Sequence, residues 1–244
     1  VTAPDALAGP GGGPARALIA MTSQHTMPNG RETGVYASEL ADAWQVFSDA
    51  GFEVDVVSVR GGVPPMEAVN PEDGTQRAFL ADPVMSAKMA DTPTAAGLRG
   101  ADYRMLFVAG GHGAVCDLPD DEDLARLTRE VYETGGVVAA VCHGPAALLD
   151  VVLADGTHLV AGRRVAAFTN DEERAVGMAS VVPFFLADEL ARRGAVRDEA
   201  PPFMPHVVID ERLVTGQNPP SATLVARAAV QVARGTATVS RPAA

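Results

Sequence analysis

Four short apolar runs constrain this chain more than any other feature: Ala17–Met21, Phe52–Val59, Tyr103–Ala109 and Val137–Val141. Each ends at a polar or glycine-rich stop, and the segments between them are long enough to hold a crossover helix. Runs of this length and composition read as strands buried in the middle of a sheet, and parallel strands need crossover connections of a dozen or more residues. Gly34–Gly51 carries helical spacing with a glycine at its end, and the acidic run Pro119–Asp123 opens a second helix through about Thr134, negative charge at the positive end of the dipole. Strands and helices therefore alternate, predicting an α/β fold: a doubly wound, mainly parallel sheet flanked by helices.

Residues 15–236 are read as one α/β domain, after a leader at 1–14 of Ala, Gly and Pro expected to be disordered and before a tail at 237–244 expected to be frayed. No apolar run reaches the ~18 residues of a membrane helix, and the leader lacks the basic start of a secretory signal. With 19 basic against 31 acidic side chains, and Lys88 the single lysine, there is no stripe to track phosphates, so nucleic acid is not an expected partner. Two cysteines, Cys116 and Cys142, are too few for a disulfide framework or a structural zinc site. The expectation is a soluble cytoplasmic protein.

Within the first helix, Leu40, Trp44 and Phe47 form a bulky apolar stripe and Ser38, Asp42, Gln45 and Asp49 a polar one. Glu39 belongs to neither. It aligns with Val35, Ala43, Val46 and Ala50, so its carboxylate projects from a largely buried side, where an acid needs a partner or a reason. The stretch Arg60–Pro93, rich in Gly and Pro, reads as a loop-rich insertion that builds pocket walls. Further on, Pro145–Asp150 and Val182–Arg193 read as helices and His158–Phe168 as short strands. His206–Asp210 with Arg212–Thr215 reads as a hairpin-like pair, and Pro220–Arg234 as a closing helix.

In an open parallel sheet, ligands bind beyond the carboxyl ends of the strands. The sharpest such end is Ala140-Val-Cys-His-Gly-Pro145, a small apolar strand turning tightly into a helix, which has the design of a nucleophile elbow presenting Cys142. A helix N-terminus behind it favours thiolate over thiol. The other reading of a free cysteine, a small buried hydrophobe, is outweighed by His143 and Gly144 directly following. Strand three ends at Gly110-Gly-His-Gly113, where glycine lets the backbone approach a ligand. Gly111 N–H and His143 N–H are the candidate oxyanion donors, Gly110 and Gly144 are candidate substrate-binding residues beside them, and His112 is either a substrate-binding pocket wall or a packing residue.

The strand end Gly-Gly-His-Gly, the elbow Ala-Val-Cys-His-Gly-Pro, the stretch Phe168-Thr-Asn-Asp-Glu-Glu173 and Leu213-Val-Thr-Gly-Gln-Asn-Pro219 together resemble the ThiJ/PfpI superfamily, also called class I glutamine amidotransferase-like. Gly34-Val-Tyr-Ala-Ser-Glu39 followed by Phe52-Glu-Val-Asp is similar to its branch of glutathione-independent glyoxalases (glyoxalase III, D-lactate dehydratases), also described as heat-shock chaperones. The match runs from Arg16 to about Arg234. It implies a flavodoxin-like fold in which Cys142 is the nucleophile, His143 the adjacent catalytic histidine, and Glu39 the carboxylate reaching over the cysteine. Asn170 stands where the group orienting His143 would be.

The late His-x-Glu of glutaminases is missing, since Val207 and Val208 come after His206, so glutamine amidotransfer is disfavoured. Some chaperone-type relatives bind zinc through histidines near the first helix; Val35–Ser38 offers none, so neither metal nor cofactor is expected. The activity implied is conversion of a small-molecule 2-oxoaldehyde such as methylglyoxal to a 2-hydroxy acid, through a hemithioacetal on Cys142 and an enediol, with Glu39 or His143 moving the proton between the carbons. Two other readings keep the same residues: a hydratase, amidase or specialised-metabolism enzyme on another electrophilic carbon, or a holdase chaperone or oxidant sensor. A homodimer is the assembly the resemblance implies.

Overall fold

A computed structural model describes residues 13–236; apart from Gly13 and Pro14, the expected leader and tail lie outside the described residues. The four apolar runs form strands β1 (Arg16–Met21), β3 (Glu53–Ser58), β5 (Met105–Val108) and β6 (Val137–Val141). Two-residue strands β2 (Val35–Tyr36), β4 (Met66–Glu67), β7 (Arg164–Val165) and β8 (Val196–Arg197) pair outside the main sheet. The hairpin-like pair is β9 (Val207–Asp210) and β10 (Leu213–Gly216). The main sheet has the order β3-β1-β5-β6-β10-β9, parallel except for the antiparallel edge strand β9.

Strand period divides the core in two. Leu18, Ala20, Leu106, Val108, Val138 and Ala140 point to one face, where helix α5 (Glu122–Glu133), which follows the single-turn α4 (Ala114–Asp117), packs Leu124, Leu127 and Val131. Ile19, Met21, Phe107, Ala139 and Val141 point to the other, under α1 (Ala37–Asp49) and α8 (Ala222–Ala233). Phe47 of α1 meets Phe107 edge to face at 5.7 Å. Each is fully buried, a gain of roughly 1.5–3 kcal/mol per side chain relative to exposure.

Five expectations need correction. The first helix begins at Ala37, because Val35 N–H donates to Pro65 and Tyr36 N–H to Gly110, which holds this pair extended beside β4. The insertion 60–93 contains two helices, α2 (Gly74–Ala81) and α3 (Pro83–Ala90), each started by an aspartate cap. Asp73 accepts from Thr75 and Gln76 N–H, and Asp82 from Met85 N–H, with Pro83 at the first helical position. Phe79 of α2 packs on Trp44 at 5.6 Å. The segment after the elbow is a five-residue 3₁₀ helix, Gly144–Leu148. Of His158–Phe168 only Arg164–Val165 is strand, and the late helix is shorter than expected, α7 at Leu186–Arg192.

Candidate active site

The elbow brings Cys142 to the carboxyl end of β6 with φ +60°, a left-handed conformation that costs a side chain of this kind roughly 1–3 kcal/mol. Two hydrogen bonds hold it there: Cys142 N–H donates to Gly216 O at 2.9 Å, and its carbonyl accepts from Phe168 N–H at 2.9 Å. Gly144 is required by close approach, since a Cβ there would lie 2.3 Å from Val108 O. Gly111 is required twice over: its φ is +107°, and a Cβ would fall 2.0 Å from Gly34 O.

Cys142 is only 3% exposed, yet it lines the floor of a cleft of about 1020 Å³, with Tyr36, Gly111 and His112 around it. Its Sγ lies 3.3 Å from His143 Nδ1. Burial pushes the thiol well above its ordinary value and the Glu39 carboxylate adds to this, while the N–H groups of Gly111 and His143 work against it. The expectation that the helix N-terminus would supply a resting thiolate is therefore corrected. The segment behind the cysteine is a short 3₁₀ turn, and burial outweighs it, so a base must remove the proton.

His143 is fully buried and placed for that work. Burial lowers its pKa below the ordinary 6.5, against the opposing pull of Glu173, so the imidazole is a neutral base at pH 7. Its Nε2 is hydrogen-bonded to Glu173 Oε1, so the proton sits on Nε2 and Nδ1 faces the sulfur. Rings of His112, at 4.3 Å, and Phe168, at 4.5 Å, flank the imidazole.

Glu173 comes from α6 (Asn170–Ala175). Burial raises its pKa, but the His112 and His143 imidazoles beside it, the latter hydrogen-bonded to Oε1, overcome this and hold the carboxyl down at about 2. His112 Nε2 stands 3.4 Å from Oε2. Glu39 has the opposite fate: burial pushes it up to about 8, although Gly110 N–H donates to Oε2 at 2.6 Å. Its Oε1 has no hydrogen-bond partner, and the neighbouring Cys142 thiol is the other group that acts to hold the carboxyl down. At neutral pH Glu39 is therefore a carboxylic acid beside the nucleophile.

Cys142, His143, Glu39, Gly110, Gly111, His112 and Gly144 are thus gathered at one place. Asn170 is not: its Nδ2 donates to Asp188 Oδ1 at 2.9 Å, and the residue orienting His143 is Glu173. The reason is local. Thr169 and Glu172 form a reciprocal capping box that fixes where α6 starts, turning Glu173 inward and Asn170 aside. The Thr-x-x-Glu pattern was the available sequence signal.

Glu172 is a second buried acid that sequence reasoning missed. Its Oε1 accepts from Phe203 N–H at 2.8 Å, Asn218 Nδ2 at 2.9 Å and Gln217 Nε2 at 3.2 Å. The Gln217-Asn218 pair of the late motif thereby fixes the wall of the cleft.

His112, His143 and Glu173 each bring one ligand atom within 4.8 Å of the others, the only such group among the described residues. A cation there would take the imidazole nitrogen and the carboxylate that keep His143 in its basic tautomer, so metal binding and base function compete.

The family model for the DJ-1/PfpI family matches residues 32–232. The chain is 36% identical over 221 residues to the glutathione-independent glyoxalase hsp3102 of Schizosaccharomyces pombe, covering 83% of this chain and 90% of that protein. It is 32% identical to the glutathione-independent glyoxalase HSP31 of Saccharomyces cerevisiae, covering 86% and 94%. Among solved structures, glyoxalase III of Candida albicans superposes with a TM-score of 0.82 at 28% identity, covering 89% of this chain and 97% of that one. Rapid Encystment Protein of Francisella tularensis gives 0.86 at 33% identity, covering 90% and 99%.

Proposed function

The chain belongs to the DJ-1/PfpI family, and from that premise we propose that it is a glutathione-independent glyoxalase that converts a 2-oxoaldehyde to a 2-hydroxy acid on Cys142. The observation that carries the mechanism is one thiol held between two groups of complementary protonation: neutral His143, backed by ionised Glu173, and protonated Glu39.

In this mechanism His143 Nδ1 takes the thiol proton and the sulfur forms a bond to the aldehyde carbon. The resulting oxyanion lies against the N–H groups of Gly111 and His143, and collects the proton from the imidazolium to give a hemithioacetal. His143 then removes the remaining hydrogen from that carbon as a proton while Glu39 protonates the keto oxygen, giving an enediol. Glu39, now ionised, takes the proton of the first hydroxyl, and the imidazolium delivers its proton to the second carbon. The product is a thioester of a 2-hydroxy acid. Water, deprotonated by His143, adds to the thioester, and collapse expels the sulfur. The sum is aldehyde plus water to hydroxy acid, with no net oxidation and no glutathione consumed. Glu173 touches no reacting atom; it stabilises each imidazolium as it forms.

No helix among the described residues is long and apolar enough to cross a membrane, and the substrate class is a small molecule. The homodimer implied by the resemblance is kept as part of the proposal. The test is lactate formation from methylglyoxal by the purified protein in the absence of thiols, beside Cys142→Ala. Wild type should produce lactate and the variant none above the uncatalysed rate; wild type that makes no lactate at millimolar substrate would sink the reading.

A further inference from the structure

Three of the four non-glycine residues with positive φ among those described, Ala68, Cys142 and Phe203, line the same cleft. For Cys142 the strain presents the nucleophile. Phe203 is the puzzle, because it is 47% exposed and its φ is +62°, so neither burial in the core nor backbone preference explains an aromatic there. Its position is nevertheless specified: Phe203 N–H is held by Oε1 of Glu172, which is fully buried and tied in turn to Gln217 and Asn218. A buried acid that ties the Phe203 loop to the Gln217-Asn218 turn and so sets one half-exposed ring at the mouth of a reactive site is a built wall.

The rest of the cleft agrees. At about 1020 Å³ it stands at the top of the range for sites that enclose a drug-sized ligand, ~300–1,000 Å³. A three-carbon dicarbonyl would leave most of it to water. Beyond the Cys142 floor the apolar part of the lining, Phe168, Met66, Val176, Pro219 and Pro220, faces the same space as Phe203, while His25, Thr26, Thr33 and Tyr36 supply polar groups. The charged groups do not form an anion site: exposed Arg31 has exposed Glu32 beside it, and Glu67 is already engaged by Thr33 Oγ1 at 3.0 Å and His112 N–H at 3.2 Å.

Resting on the glyoxalase reading, we infer that the preferred substrate is an uncharged 2-oxoaldehyde carrying a bulky hydrophobic group, aryl rather than methyl, on its keto carbon, with that group seated against Phe203. The aldehyde end reaches Cys142 and the ring covers the apolar mouth, displacing the water that a smaller substrate leaves in place. Phe203 is then a specificity-determining residue that touches substrate remote from the reacting carbons.

The experiment compares kcat/KM for methylglyoxal and phenylglyoxal, read as lactate and mandelate, on wild type, Phe203→Ala and Phe203→Tyr. Filling a hydrophobic pocket discriminates by roughly 10–200-fold, so wild type should favour phenylglyoxal by about tenfold or more, mainly through KM. Phe203→Ala should cost phenylglyoxal more than methylglyoxal and cut the ratio at least about fivefold, and Phe203→Tyr should restore it. Equal or better use of methylglyoxal by wild type overturns the inference and leaves the glyoxalase reading intact. A ratio that survives Phe203→Ala also overturns it. Consumption of neither glyoxal overturns the glyoxalase reading, and the substrate class with it.

Discussion

Two carboxyl groups flank the same cysteine and histidine, and the fold drives them in opposite directions. Glu39 reaches the site from α1, on the face of the sheet covered by α1 and α8, while Glu173 reaches it from α6. Both are almost completely buried, so burial alone does not separate them. The difference lies in what each one faces. Glu173 is met by two imidazole nitrogens and stays ionised down to about pH 2. Glu39 has a single backbone N–H and a thiol, and keeps its proton to about pH 8. Pairs of titratable groups pushed apart by their surroundings mark an acid and a base within one site. Here the split assigns proton donation to Glu39 and electrostatic support to Glu173.

Breaking the supported side should have the larger effect. Glu173→Gln leaves the shape nearly intact but can present an amide N–H to His143 Nε2, which moves the imidazole proton to Nδ1 and turns it toward the sulfur. The base then faces the wrong way. In the serine-protease triad the corresponding acid-to-amide change costs about 10⁴-fold in kcat, and a loss of about 10³–10⁴ is expected here. Single-turnover formation of the covalent Cys142 adduct checks it, and a loss under tenfold would remove Glu173 from its role. Stability should respond as well. The folded-state pKa of about 2 lies below the ordinary 4.5, so Glu173 contributes stability above pH 4.5 that is lost as pH falls toward 2. Glu173→Gln should melt lower than wild type at pH 7, and the gap should close in acid.

Changing the other carboxyl should give a smaller catalytic loss and the reverse stability signature. Glu39→Gln removes the proton donor, for which about 10²–10³ in kcat is expected. Wild-type kcat/KM should decline above about pH 8 as Glu39 ionises, and should hold on the acid side until His143 protonates below 6.5; the variant should lose the alkaline limb. Because the folded-state pKa of Glu39 is raised, the native protein binds the extra proton between pH 4.5 and 8, so wild-type stability falls as pH rises through that window. The glutamine variant should be free of this slope and become the more stable protein at pH 8, by an amount of order a few kcal/mol at most. Thermal melts at pH 5 and 8 measure it. An unchanged slope would mean that Glu39 is ionised at rest.

This asymmetry also explains which half of the site could be read from sequence. Glu39 sits in a long helix whose stripes are unambiguous, so its displacement from the polar face was visible in the pattern, and the elbow at Cys142 has a compact local signature. The strands of the main sheet were legible for the same reason: each is a nearly continuous apolar run, buried on both faces. Glu173 lies in Asp171-Glu172-Glu173, three acids in the first turn of a short helix, where any of them complements the dipole. The capping box of Thr169 and Glu172 fixes where the helix starts, but that both Glu172 and Glu173 are then buried while Asp171 stays in water depends on what packs against α6. The helices of the insertion were hidden likewise, because they are short and are marked mainly by the single caps Asp73 and Asp82.

The smallest expected effect sharpens the same comparison at one-residue resolution. Asn170 and Glu173 lie three residues apart on α6, close enough in sequence for either to be taken as the partner of His143. Asn170 spends its amide on Asp188, and its Oδ1 has no hydrogen-bond partner. Asn170→Ala removes a hydrogen bond to Asp188 worth about 1 kcal/mol, one that does not involve the imidazole. It should therefore shift Tm downward by a few degrees, since about 1 kcal/mol corresponds to ~2–4 °C in a chain of this size, while kcat stays within about twofold because no contact to His143 or to the cleft is lost. The pH profile should overlay that of wild type. A kcat loss of an order of magnitude, with His143 protonating at a different pH, would instead make α6 act as one unit on the base, and the division of labour between Glu39 and Glu173 would have to include the helix that carries the latter.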